Sequence, residues 1–364
     1  MSILSLKPES SLLSQNKAYA FDLPYQLECA KPTEERGIRR DEVRLMVSHY
    51  NDDQLFHTDF HKIDQFLQAG DVLIVNTSGT LKAALEGFLE DGKKVRIHFS
   101  TKINSDRWVI EIREVVDGST RRYAGSKPGE VVALKNGGSL RLSTSYYDTK
   151  RDKHLRLWEA QINLPIPLEE YLDLYGQPIR YQYIKKNYPQ SYYQTVFAQE
   201  MGSAEMPSAG RPFTAELITR LVSKGVHIAP ILLHTGVASL EVDERPYEEY
   251  YRVPQHTADL INWAKKRGKR IIAIGTTAIR AIESAVDETG EIQASEGWTN
   301  VFITPARGLQ VVEGLLTGFH EPKASHLLML ETLTGSAHLD LSYRAALEQQ
   351  YYWHEFGDLH LILP

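Results

Sequence analysis

The segment Arg270-Ile-Ile-Ala-Ile-Gly-Thr-Thr-Ala-Ile-Arg280 constrains the fold of this chain more than any other. An apolar run of strand length, Ile271 to Ile274, meets Gly275, Thr276 and Thr277. A helical pattern then places Ile279, Ile282 and Ala285 on one face. A strand that turns directly into a helix is the building unit of an α/β sheet. The turn leaves backbone N–H groups unpaired at the helix start, and with the helix dipole these suit a carboxylate or a phosphate. Arg280, one turn in, can pair with the same anion or with another element. The same residues also fit an ordinary connection with threonine caps, so the rest of the chain has to decide.

The neighbours repeat the theme. Asp71-Val-Leu-Ile-Val-Asn76 is a buried-strand run ending in the polar Asn76-Thr-Ser-Gly79. Val226 to Leu233 delivers His234-Thr-Gly236, Leu315-Leu-Thr317 delivers Phe319, His320 and Lys323, and Leu359 to Leu363 closes the chain after Phe356-Gly-Asp358. Val301-Phe-Ile303 reads as a further short strand. Helices are expected over Phe60 to Leu67 behind an Asp59 cap, from Thr214 to Lys224-Gly225, from Thr257, from a Ser325 cap, and from a Ser342 cap through Tyr351. Strands alternating with such helices imply an α/β domain with a mainly parallel sheet. Residues 1–35, with Pro8, Pro24 and Pro32, read as an irregular, partly extended arm.

From about residue 83 the texture changes. Short alternating runs are separated by Asp91-Gly92, Asp117-Gly118 and Asn136-Gly137, each a hairpin signal. The spacing predicts a small antiparallel barrel or sandwich over residues 83–157, inserted in an α/β domain formed by residues 1–82 and 158–364. Its Lys93, Lys94, Arg96, Arg121 and Arg122 form either a solvated face or an RNA-facing edge. The tyrosine-rich stretch from Tyr181 to Phe197 either stacks bases or packs loops.

Composition excludes several classes. A net charge of −6 argues against non-specific coating of nucleic acid, though it leaves room for a local basic patch that holds one folded RNA. No apolar run reaches ~18 residues, so no membrane helix is expected, and the N-terminus does not read as a secretory leader. Cys29 is the lone cysteine, which excludes an intrachain disulfide and suits a reducing cytoplasm.

Chemistry in an open α/β sheet belongs at the carboxyl ends of the strands. The polar groups expected there are His234, Thr276, Thr277, Arg280, His320, Lys323 and Asp358. Each has a plain structural alternative, such as a hydrogen-bonded histidine or a turn aspartate. No metal-ligand spacing, nucleotide-triphosphate loop or nucleophile elbow is present, so catalysis without a metal is expected.

Across the chain, the sequence resembles the S-adenosylmethionine:tRNA ribosyltransferase-isomerase family of queuosine biosynthesis. The resemblance rests on RDEVRLMV (40–47), AGDVLIVN (69–76), YQTVFAQEMGSA (193–204), PSAG-x-x-FT (207–214), LHTG (233–236), RIIAIGTTAIRAIES (270–284), GWTNVFI (297–303), LLTGFHEPKASHLLML (315–330) and FGDLHLIL (356–363). It implies an α/β domain carrying an inserted barrel. It also implies a reaction in which S-adenosylmethionine donates its ribosyl group to 7-aminomethyl-7-deazaguanine in tRNA. Adenine and methionine leave and the sugar is rearranged to give epoxyqueuosine. Such a reaction needs a base near C5′, where the sulfonium acidifies the hydrogens, and a proton donor near adenine. The resemblance offers His234 and His320 for these roles, with Asp358 and Glu249 as accompanying acids. It offers Gly236, Gly275, Thr276, Thr277, Arg280, Lys323, Ser208, Gly210, Asn76 and Arg44 for substrate binding, with no metal and no cofactor beyond S-adenosylmethionine.

The chain also departs from the family pattern. Asn76-Thr-Ser-Gly79 stands where an Asn-Asp-Thr-Arg is usual, and Pro212 stands in place of a histidine. Gly236-Val-Ala-Ser-Leu240 and Arg245-Pro-Tyr-Glu-Glu-Tyr250 replace a glycine-rich and a histidine-rich loop. Gly318-Phe-His-Glu-Pro-Lys-Ala-Ser325 stands for Asn-Phe-His-Leu-Pro-Lys-Ser-Thr, and Glu355-Phe-Gly-Asp-Leu-His360 for Ser-Tyr/Phe-Gly-Asp-Ala-Met. Three readings follow: the family reaction with altered loops, a diverged enzyme with a small-molecule acceptor, or a non-catalytic binder whose pocket is filled by Arg211 and Tyr247.

Overall fold

The computed structural model describes residues 20–116, 119–146, 156–181, 183–237 and 247–364. The expected arm before residue 20, the Asp117-Gly118 turn and the loop departures at 238–246 lie outside the described residues. In chain order the strands are β1 (Arg44–His49), β2 (Gln54–Asp59), β3 (Val72–Asn76), β4 (Ser78–Thr80), β5 (Ala84–Phe88) and β6 (Lys94–Lys102). Then come β7 (Arg107–Val116), β8 (Ser119–Arg122), β9 (Val131–Leu134), β10 (Ser139–Ser145), β11 (Leu157–Asn163) and β12 (Glu200–Ser203). The last six are β13 (His227–Leu233), β14 (Glu249–Val253), β15 (Ile271–Ile274), β16 (Ser295–Thr299), β17 (Gly314–Gly318) and β18 (Leu359–Leu363).

A nine-stranded sheet runs in the order β16-β14-β13-β3-β15-β17-β18-β1-β2. Its centre, β13-β3-β15-β17, is parallel throughout. Outside that centre only the β1–β18 pair is parallel, and the pairs β13–β14, β14–β16, β17–β18 and β1–β2 are antiparallel. The sheet is therefore mixed rather than mainly parallel. The physical reason is the connections. Helical crossovers serve the centre, whereas β1–β2 is a hairpin, and β18 enters from the chain end between β17 and β1.

Alternation along the central strands sorts their side chains onto two faces. Val72, Ile74, Ile271 and Ala273 pack under the helices Gln255–Lys265, Thr276–Ser284, His326–Thr334 and Ser336–Glu348. Leu73, Val75, Ile272 and Ile274 pack on the other face, against the helix Ala215–Ser223 and the turn Phe60–Gln65. Burial on both faces is why these strands read as unbroken apolar runs. Each fully buried Ile or Leu contributes roughly 1.5–3 kcal/mol.

β5, β6, β7, β11, β10 and β9 close into an antiparallel barrel, with β8 extending β7 as a hairpin. Asn136 (φ 52°) and Gly137 (φ 78°) make the left-handed turn that their sequence signals. The closing strand β11 runs to Asn163, beyond the expected edge at residue 157. Lys93 and Arg121 pair with Glu114, and Lys94 and Arg96 sit against Glu86. These charges are locally balanced, as in a solvated face.

Of the expected helix starts one holds and the others are corrected. Thr214 caps its helix, accepting from the Leu217 N–H at 3.2 Å. Thr257 does not open its helix, which starts at Gln255 behind Pro254; its hydroxyl donates to the Pro230 carbonyl instead. Asp59 and Ser325 precede their helical segments without making a cap bond. Ser342 lies inside the helix Ser336–Glu348, buried and bonded to the Leu339 carbonyl. The helix break falls instead at Gly335, whose φ of 76° ends one helix and starts the next. Val301 to Ile303 is irregular, because the Val301 carbonyl serves Arg280 rather than a strand.

Candidate active site

A cavity of about 250 Å³ opens where β13, β15 and β17 end, as the parallel centre of the sheet dictates. Gly275 sits at its floor with φ 89° and ψ 157°, a backbone conformation that only glycine adopts without strain. That turn lets the helix Thr276–Ser284 begin at the cavity wall, with Thr276 and Thr277 heading it. Ser208 and Gly236 also line the cavity. A Cβ at Gly236 would collide with the Tyr247 hydroxyl and with Ser100 of β6, so the barrel closes directly against this wall.

His320 follows β17 into the cavity. Its Nε2 lies 2.9 Å from the Thr317 hydroxyl and its ring stacks on His326, centroids 4.6 Å apart and 4° from parallel. Burial above all, then His326 and His354, hold the His320 imidazole well below its ordinary range. Burial likewise brings His326 down to about 4, with Arg280 adding to the shift. His354 is brought down to about 4 by burial alone. His354 has φ 74° and stacks on Tyr183 at 4.3 Å, and Tyr183 stacks on Tyr181 at 5.6 Å. These imidazoles are neutral at neutral pH. Unprotonated, they can take a proton only as weak bases, and they are poor proton donors there.

Arg280 corrects a sequence expectation. Its guanidinium is not open to a ligand carboxylate. It pairs with Glu249 and also donates to the carbonyls of Tyr247, Thr299 and Val301. Glu249 also accepts the Gly236 N–H at 2.8 Å. Burial pushes the Glu249 carboxyl up while Arg280 pulls against it. The pair therefore builds the wall and leaves the helix start free for a ligand.

The structure leaves six of the expected residues off the cavity lining. His234 holds Ser78 at 2.8 Å through Nδ1, lies 3.6 Å from Glu200 through Nε2, and packs against Tyr250. Asn76 clamps strand ends together, bonding both the N–H and the carbonyl of Leu233 and donating to the Thr277 hydroxyl. Asp358 is 2% exposed and accepts the N–H groups of Arg44 and Tyr352, tying β1 to the approach of β18. Arg44 itself lies over the Tyr351 ring at 4.0 Å and donates to the Gln349 carbonyl. Gly210 is buried beside Thr195 and Phe197. Lys323 is exposed, at φ 67°.

Other lining residues were not singled out as site residues from the sequence: Glu205, Glu321, His326, His354 and Glu355. Glu355 Oε1 is buried without a hydrogen-bond partner, as is His354 Nε2. Burial and the neighbouring Glu205 push the Glu355 carboxyl up to about 8, against the pull of Arg211. The signal available in the sequence was the replacement of a small or apolar residue by Glu at 321 and 355. The filled-pocket reading fails on geometry. Arg211 turns away to Glu34 and the Phe356 ring, and Tyr247 lines the cavity without closing it. Among the described residues no group of three or more His, Cys, Asp or Glu side chains is placed to hold a metal ion.

The sequence model of the family described as "Queuosine biosynthesis protein" matches residues 16–362. An S-adenosylmethionine:tRNA ribosyltransferase-isomerase of Desulforamulus reducens is 33% identical, over 95% of this chain and 98% of that protein. The protein of the same name from Symbiobacterium thermophilum is 34% identical, over 95% and 98%. Among solved structures, an S-adenosylmethionine tRNA ribosyltransferase from Thermotoga maritima aligns with TM-score 0.53 and 25% identity, over 95% of this chain and 100% of that one.

Proposed function

Because the chain belongs to the queuosine biosynthesis protein family, we propose that it acts as an S-adenosylmethionine:tRNA ribosyltransferase-isomerase whose donor and acceptor meet in the strand-end cavity. The observation that carries this reading is the open cavity in which the Gly275–Thr277 helix start faces a neutral histidine. The transferase and isomerase steps act on 7-aminomethyl-7-deazaguanine in tRNA and give epoxyqueuosine, with S-adenosylmethionine as co-substrate. Such an enzyme works in the cytoplasm, where its tRNA is.

The residues divide the work by what each has free. The helix start takes the methionine carboxylate through the N–H groups of Thr276 and Thr277 and the helix dipole. Asn76 fixes Thr277 from behind, and the Arg280–Glu249 pair fixes the opposite wall. His320, unprotonated at neutral pH, takes the acidified C5′ proton of the bound sulfonium compound. Thr317 and His326 hold its ring in place for that transfer. Arg44 and Asp358 act at a distance, by anchoring β1 against β18.

The deciding experiment measures adenine release from S-adenosylmethionine by chromatography, with and without tRNA carrying the aminomethyl base. Release that requires the modified tRNA is expected. Release without RNA would instead establish a small-molecule or hydrolytic reaction. Absence of release in both tubes would remove the assignment.

A further inference from the structure

The acidic wall of the cavity is not used by the reading above. Among the described lining residues Arg280 is the one lysine or arginine, and Glu249 already takes it. Glu205, Glu321 and Glu355 line the same space. Glu205 accepts the Tyr181 hydroxyl at 2.7 Å, and Glu321 lies 3.3 Å from His354 Nδ1, whose imidazole is held neutral. Glu355 has neither kind of support at Oε1, which is buried and takes no hydrogen bond. A buried acceptor left open at the wall of a cavity points to a donor that arrives with the ligand.

The surroundings specify that donor. Glu355 faces Glu205, Arg211, Tyr181, Tyr183 and Tyr193, with Glu321 and His354 next along the wall. Arg211 is committed to Glu34, Thr33 and the Tyr192 carbonyl. Burial above all, with the neighbouring Glu205, keeps the Glu355 carboxyl protonated at neutral pH when the cavity has no ligand. A cation reverses that preference. A primary ammonium brings one positive charge and three N–H donors, and the tyrosine faces beside the pair favour it further.

We infer that Glu205 and Glu355 form a carboxyl pair that receives a primary ammonium group of a substrate, Glu355 giving up its proton to solvent as it does so. The inference rests on the proposed function, since both substrates carry an amine: the α-ammonium of S-adenosylmethionine and the aminomethyl group of the acceptor base. No covalent bond changes in this step. The proton leaves Glu355 for the buffer, and the ammonium takes its place against the two carboxylates. The pair thereby selects amine-bearing ligands over analogues of the same shape that lack the amine.

The test is calorimetry at pH 6.5 in buffers of different ionisation enthalpy, which counts protons released on binding. The probes are S-adenosylmethionine, 7-aminomethyl-7-deazaguanine and 5′-methylthioadenosine. Release of close to one proton with S-adenosylmethionine assigns the pair to the donor. Release with the deazaguanine assigns it to the acceptor. 5′-Methylthioadenosine should bind with no release. Glu355→Gln should reduce the count to near zero, and Glu205→Gln should reduce it in part. The wild-type protein alone supplies a second measurement. Affinity for the responsive ligand should rise close to tenfold between pH 6.5 and 7.5. Binding without proton release, together with a flat pH profile, overturns the inference while leaving adenine release as a separate result. Binding of neither amine overturns both readings.

Discussion

Two histidines follow two parallel strands of the same sheet, and the structure treats them differently. His234 leaves β13 and His320 leaves β17, both at carboxyl ends. Both are neutral at neutral pH because burial depresses them. His234 bonds Ser78, which bonds Ser203, and Gly202 packs against its ring so closely that a Cβ there would collide. The His320 ring has one hydroxyl partner, Thr317, and lines the cavity. Position at a strand end therefore does not by itself bring a side chain to the cavity. Hydrogen-bonding capacity that the fold has not already used is also needed.

Substitution should separate the two histidines clearly. His320→Asn should lower adenine release by about 10²–10⁴-fold, the scale of a lost general base, with the melting temperature little changed. His234→Asn should lower it by less than about tenfold and instead reduce stability by ~1 kcal/mol, the worth of a buried hydrogen bond. Turnover and thermal melting on the two variants check this. Equal losses of activity would erase the distinction.

The next effect concerns the turn that makes the cavity floor. Gly275→Ala puts a Cβ at φ 89°, where strain costs about 1–3 kcal/mol. The added Cβ meets Ala209 at 3.5 Å and the Thr277 hydroxyl at 3.8 Å, so space is not the obstacle. Affinity for S-adenosylmethionine should fall by roughly tenfold as the helix start shifts. Gly210→Ala, at a glycine of ordinary φ that does not line the cavity, should leave that affinity unchanged. Titration of the ligand against both variants decides.

Acid should reveal how much of the molecule depends on neutral imidazoles. Burial brings His326 and His354 down to about 4, and His360 down to about 3. The unfolded chain takes protons on these rings from about pH 6.5 downward, where the folded chain does not. Their stability contribution is thus complete above that pH and is lost as pH falls toward 4 and then 3. Glu355 works in the opposite sense. Its carboxyl, pushed up to about 8, weakens the fold progressively as pH rises from about 4.5. Melting temperature against pH should therefore fall on the acid side, and Glu355→Gln should raise it at pH 8. A melting temperature that stays flat to pH 4 would mean these rings are not held neutral.

Much of this architecture was legible because it is local. The strand–glycine–helix unit at Gly275, the Thr214 cap and the Asn136-Gly137 hairpin each need only residues close in sequence. The mixed sheet was not legible, because the β17–β18 and β1–β18 pairs join segments far apart in the chain. The site was legible in type but not in allegiance. Arg280, Asp358 and His234 are the residue types that bind ligands, yet Glu249, the Arg44 N–H and Ser78 reach them first. Conversely, Glu355 precedes the strand β18 in a stretch with no periodic pattern. Only the folded chain sets it beside Glu205 with an open oxygen atom. Long-range polar partnership is the quantity that one-dimensional patterns omit.

The smallest expected effect tests whether the barrel belongs to the cavity or only hangs beside it. Ser100, on β6 and 1% exposed, accepts the Val237 N–H at 2.9 Å and bonds the Tyr247 hydroxyl at 2.9 Å. Tyr247 in turn donates to the Val237 carbonyl, so one barrel hydroxyl closes a ring of bonds behind Gly236. Ser100→Ala leaves a buried N–H unpaired, at a cost of about 1–3 kcal/mol in stability. The wall that it supports also carries the Gly236–Glu249–Arg280 contacts. Loosening it should raise KM for S-adenosylmethionine by roughly twofold to fivefold while kcat holds, the pattern of weakened ground-state binding. A lower melting temperature with KM unchanged would confine Ser100 to holding the two domains together. A rise in KM makes the barrel part of the binding wall, and the contrast between the two strand ends then includes which of them the barrel supports.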